Sequence, residues 1–140
     1  MRIAAEHSTD ATTSAIGFFV KTGARDETSS LMGVSHFLEH MMFKGTDNLS
    51  AEQVDLAFDT LGAEHNAFTS GEMTAFWGAS LPEVICDVHD IVADILRPAL
   101  RQDDFDNEKK VVLEEIAMYD DQPFWVLYEC ALEQYYGTSS

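Results

Sequence analysis

The chain has 140 residues, with eight Lys plus Arg against 25 Asp plus Glu and a formal net charge of −17. That balance argues against nonspecific nucleic-acid binding, which needs basic residues facing phosphates, and no apolar run reaches membrane-spanning length. The hydrophobic share of 46%, with nine Phe, is enough for one core and argues against general disorder.

The acidity has two readings of similar weight: attraction for basic peptides, or a strongly solvated surface suited to high salt. Met1 to Asp10 contains charges and no apolar signal-peptide core. The expectation is therefore a soluble protein of a bacterial cytoplasm, with a processed organellar chain as the second option. Cys86 and Cys130 are too few and too far apart for a disulfide scaffold and read as small core hydrophobes.

In chain order, Ala15 to Val20 reads as the first convincing strand, and a short strand over Arg2 to Ala5 is a candidate partner. Residues 31 to 43 are apolar around most of a helical circumference, which predicts a buried helix ended by Gly45. Ser50 and Gln53 form a capping-box pattern ahead of Val54, Ala57, Phe58 and Leu61 at helical spacing, with Gly62 as the stop. Residues 66 to 80 read as a turn and hairpin, Thr74 to Ser80 being the stronger strand. Pro82 suits the first turn of a helix whose buried face uses Val84, Ile85, Val88, Ile91, Val92 and Ile95. Asp103 to Tyr119 is a further helix, Asp120-Asp121-Gln122-Pro123 interrupts it, and Phe124 to Tyr135 is the last. Gly137 to Ser140 reads as a tail or a cut end. The expected fold class is α+β, a small antiparallel sheet packed with helices.

The chemistry concentrates in His36-Phe37-Leu38-Glu39-His40. Residues four apart share a helix face, so both histidines can reach one metal ion, and Glu39 lies beside His36 in projection, near enough to deprotonate a metal-bound water. Zinc lowers that water's pKa and polarises a peptide carbonyl. The order is the inverse of His-Glu-x-x-His. Alone, the pentapeptide also fits an ordinary surface cluster. Met32, Gly33 and Phe43 share the histidine face, and the segment is too apolar for a wet surface.

Helical phase proposes a third ligand. Glu108 and Glu115 are seven residues apart and project to one face with Val111, Val112, Met118 and Tyr119. A carboxylate there needs a partner, whereas Glu114 points away beside Lys110. Glu115 is therefore the expected ligand and Glu108 a supporting, water-positioning acid. The competing reading is a helix pair joined by Glu–Lys interactions. His65 reads as an exposed loop residue, and His7 and His89 lack ligand spacing. Phe76 and Trp77 are expected to pack across the sheet, and Gly62, Gly71 and Gly78 make no phosphate loop.

Several separated motifs resemble the pitrilysin (M16-type, inverted zinc-motif) metallopeptidases, particularly the mitochondrial-processing-peptidase-like branch. They are Gly23-Ala24-Arg25-Asp26-Glu27, Gly33 to Thr46, Asn66-Ala67-Phe68-Thr69, Glu108 to Ile116, and the Asp-Gln-Pro ending at Pro123. The resemblance implies one zinc ion per chain held by His36, His40 and Glu115, with Glu39 as general base and Glu108 supporting the site. Asn66, Ala67, Phe68 and Thr69 would hold an extended substrate by strand addition. The implied activity is zinc-dependent endoproteolysis of peptides or unfolded polypeptides. The family's usual length implies that residues 1–140 are part of an N-terminal catalytic domain, without the rest of that domain or a second one. A homo- or hetero-oligomer, or a missing C-terminal region, would then complete the cleft. The alternatives are a noncatalytic assembly subunit, a fragment inactive alone, and a plain metal-binding α+β domain.

Overall fold

The computed structural model describes residues 1–137. Three strands, β1 (Ser14–Val20), β2 (Glu64–Thr69) and β3 (Thr74–Ser80), form one antiparallel sheet in the order β1-β3-β2. β3 is central, and Phe76 faces Phe18 on one side and Ala67 on the other. Five α-helices accompany it: α1 (Val34–Met42), α2 (Ala51–Thr60), α3 (Ile85–Ile95), α4 (Gln102–Asp120) and α5 (Pro123–Tyr136). The α+β architecture matches the sequence expectation.

The core is Val54 and Phe58 of α2, Phe76 of β3, and Val88, Val92 and Ile95 of α3. Helical spacing puts each set on one stripe, and β3 supplies the sheet's side of the core. Gly78 permits the approach of α3. A Cβ there would lie 2.5 Å from Val88 Cγ1, too close for any residue but glycine without a shift. The Ser50–Gln53 capping box is formed in both directions, at 3.3 and 2.8 Å, and starts α2 where the sequence predicted. Thr46, buried, donates to Asp94 at 2.7 Å and accepts from the amides of Asn48 and Leu49, fixing the bend between α1 and α2.

Four expectations are corrected. Residues 2 to 5 form no strand and are exposed. The helix expected over 31 to 43 begins only at Val34, because Gly33 takes φ +87° and breaks the helical path. It is also not buried all round: Met41 is buried, but Val34 and Leu38 are open. Cys86 in α3 and Cys130 in α5 are exposed rather than in the core. His65 lies in β2, half-buried, with its ring stacked on Phe58 at 3.9 Å. Of the expected tail, residues 138–140 lie outside the described residues.

Candidate metal centre

The site forms where α1 meets α4, alongside β2. One nine-residue helix carries His36, Glu39 and His40, and α4 brings Glu108 and Glu115. His40 Nε2 lies 3.1 Å from His36 Nε2 and 3.5 Å from Glu115 Oε2, and His36 Nε2 to Glu115 Oε2 is 3.8 Å. The three donor atoms thus form a compact triangle, and among the described residues this is the group of His, Cys, Asp or Glu able to hold an ion. Tetrahedral zinc with ligands at about 2.0–2.1 Å separates neighbouring donors by about 3.3 Å. Two imidazole nitrogens and a carboxylate oxygen at these separations fit that ion.

Glu108 sets the state of His40. Its Oε1 lies 2.8 Å from His40 Nδ1 and its Oε2 accepts from Lys44 Nζ at 2.7 Å, with the carboxylate buried. Burial pushes the Glu108 carboxyl up, but the hydrogen bonds from Lys44 and His40, with their charges, outweigh it and hold the carboxyl below its ordinary range. An ionised Glu108 can only accept, so His40 donates to it from Nδ1 and turns Nε2 toward His36 and Glu115. Glu114, one residue before Glu115, is exposed and lies outside the donor triangle.

Glu39 is half-buried, and Thr69 Oγ1 at the end of β2 donates to its Oε2 at 2.5 Å. Thr69 therefore contacts the centre directly. Asn66, Ala67 and Phe68 precede it along an edge strand that, among the described residues, pairs only with β3, with Asn66 and Phe68 exposed and Ala67 packed on the core. Asn66 Oδ1 accepts from the Ala67 amide at 2.8 Å.

A cavity of about 510 Å³ opens over the three donors and Glu39, and its far wall is Met118, Tyr119, Gln122 and Trp125. Lys44 and Trp125 had no role from the sequence. Lys44 is 64 positions from Glu108, a pairing without periodic signal. Trp125 belongs to the helix after the Pro123 break, whose direction the sequence leaves open.

The fold and the donor triangle define an α+β domain with a group of side chains able to hold one metal ion. The chain belongs to the family described as Insulinase (Peptidase family M16), whose model matches residues 2–138. It is 38% identical over 141 residues to an uncharacterized zinc protease of Bacillus subtilis, covering 100% of this chain and 34% of that protein. It is 36% identical over 134 residues to the mitochondrial-processing peptidase subunit beta of Saccharomyces cerevisiae, covering 92% and 29%. A crystal structure of a protease from Helicobacter pylori superposes with a TM-score of 0.80 at 29% identity, covering 84% of this chain and 29% of that one. The chain thus spans about a third of the length of these relatives.

Proposed function

We propose that this chain carries the metal-binding and proton-handling residues of a zinc-dependent endopeptidase acting on extended polypeptides. The observation that carries the reading is the His36–His40–Glu115 triangle with Glu39 lining the same cavity. His36, His40 and Glu115 would hold one zinc ion, which when bound supplies Lewis acidity toward water and the peptide carbonyl. Glu39 is the general base: its carboxylate takes a proton from the attacking water and returns it to the leaving amine nitrogen. Thr69 occupies one oxygen of that carboxylate and steadies it, and Glu108 keeps the His40 proton on Nδ1. The free edge of β2 receives the substrate backbone through strand addition at Asn66, Ala67, Phe68 and Thr69.

The residues described here form part of a catalytic domain, with the cleft completed by further protein, in the same chain or in an oligomer. Leu127 and Tyr135 of α5, 69% and 81% exposed, and the open outer side of α1 support that part of the reading. Among the described residues no helix is long and apolar enough to cross a membrane. Action in a bacterial cytoplasm is part of this proposal, with a processed organellar chain as its alternative. A second reading, a noncatalytic assembly subunit, draws on the one-third span.

The test is zinc stoichiometry of the chain and of Glu115→Gln, both purified without chelators. One zinc in the parent and substantially less in the variant supports the site, and peptide cleavage abolished by chelation supports the activity. A folded parent without zinc points to the assembly reading. Cleavage that survives complete metal removal refutes the mechanism.

A further inference from the structure

The zinc-helix candidate α1 starts without the usual means of satisfying its first amides. Its N-cap is Gly33, which has no side chain to accept a hydrogen bond and stands at φ +87°. Helices normally use an N-cap Ser, Thr, Asp or Asn for this purpose. Here the acceptor comes from six and eight residues back: Glu27 Oε2 takes the Gly33 amide at 2.6 Å and Glu27 Oε1 the Ser35 amide at 2.7 Å. Ser35 immediately precedes His36, and a carboxylate at this end also favours the helix dipole.

Glu27 is itself held. The 3₁₀ turn Ala24–Asp26 before it is bound to the tip of the β2–β3 hairpin, with the Ala24 amide on Ser70 O at 3.0 Å and the Arg25 amide on Gly71 O at 2.8 Å. Arg25 also pairs with Glu72. Gly23 is needed for the approach, since a Cβ there would meet Ser70 O at 2.2 Å. The same hairpin ends β2 at Thr69, which holds Glu39. The hairpin therefore grips α1 at two points, through Glu27 at the first turn and through Glu39 further along. Together they fix the helix's position and rotation relative to the strand.

We propose that Glu27 is a positioning residue for the metal centre, orienting α1 so that His36, Glu39 and His40 project together toward Glu115 and the β2 edge. This rests on the zinc reading above. The Gly23–Glu27 segment then transmits the hairpin's placement to the zinc helix without touching metal or substrate.

The experiment measures zinc affinity by competition with a chromophoric chelator, and the visible spectrum of the Co²⁺-loaded protein, for the parent, Glu27→Ala, Glu27→Gln, Ser50→Ala and Glu115→Gln. Ser50→Ala is the control for a purely structural loss, because it removes a comparable cap from α2, away from the site. Glu27→Ala is expected to weaken zinc about 10- to 100-fold and alter the Co²⁺ spectrum, as for other groups that orient ligands. Glu27→Gln, which keeps a neutral acceptor and the side-chain length, is expected to fall between it and the parent and serves if Glu27→Ala does not fold. Ser50→Ala is expected to lose stability while binding zinc as the parent does. Affinities of the Glu27 variants within about twofold of the parent, with melting lowered as in Ser50→Ala, would overturn the proposal. A parent that binds no zinc, or Glu115→Gln binding as tightly as the parent, removes the metal centre itself and the inference with it.

Discussion

Glu108→Ala is the sharpest probe of how the site is supported. The substitution deletes a buried acceptor of two charge-assisted hydrogen bonds, from His40 at 2.8 Å and Lys44 at 2.7 Å. Such bonds contribute about 1.5–3 kcal/mol each. Lys44 is one-third exposed and recovers water, so its share falls toward the lower end, whereas the His40 side chain, 17% exposed, recovers little. The expected cost is about 3 kcal/mol, a drop of about 10 °C in Tm for a chain of this length. Circular-dichroism melting with chelator present keeps bound metal out of the comparison. Because the folded-state pKa of Glu108 lies below its ordinary 4.5, its contribution is fully present above that value and is lost as pH falls through the lower folded value. The gap between parent and Glu108→Gln should therefore narrow in acid. Zinc affinity should fall about 10- to 100-fold in both variants. A Glu108→Ala protein melting within about 1 °C of the parent would show that the buried carboxylate stabilises nothing, and the reasoning would fail.

Other expectations follow from single contacts. Zinc at about 100 times its Kd should stabilise the parent by about 2.7 kcal/mol, reversed by chelator and absent in His36→Ala, read from Tm shifts. Burial lowers the His65 pKa, against the pull of Asp55 and Asp59, so protonation favours the unfolded chain. Stability should then rise with pH through the window below 6.5 and level off above it. His65→Phe should flatten that rise, and equal Tm slopes between about pH 5 and 7 in both proteins would contradict the assignment. Gly78→Ala forces a Cβ to 2.5 Å from the fully buried Val88 and should cost about 1–3 kcal/mol in urea unfolding; a neutral result would mean α3 shifts freely on the sheet.

Much of the candidate site's geometry was legible because its information is local. His36, Glu39 and His40 occupy five residues of one helix, and the seven-residue spacing of Glu108 and Glu115 singles out one face of another. Val112, at 9% exposure, shares that face with Glu108, whereas Val111, grouped with it by phase, is open. The capping box at Ser50 was equally visible. The failures concern long-range partners. Residues 31 to 43 are apolar enough for a buried helix, but apolarity does not say what covers a face, and Leu38 stays open. Glu27 could not be read as a helix cap because its loop reaches over several residues to Gly33 and Ser35, outside any fixed capping spacing. His65 looked like a loop residue beside Glu64. Its place in β2 follows from pairing with β3, opposite Gly78, a tertiary fact without periodic trace.

The hydrogen bond between Asn66 Oδ1 and the Ala67 amide makes β2 a guarded edge. A strand with an open side will template any extended chain, its own copies included, and proteins usually blunt such edges permanently with charge, proline or a bulge. On the proposed reading this edge also accepts a substrate backbone, and must therefore stay usable. A side chain that occupies one amide for about 1 kcal/mol meets both needs. A poorly matched strand, or a neighbouring copy in passing, gains too little to displace it. A segment that adds several backbone bonds and fills the cavity beyond gains enough. On the proposed reading, Asn66 acts as a reversible latch that sets a threshold of complementarity before a chain is drawn alongside Glu39.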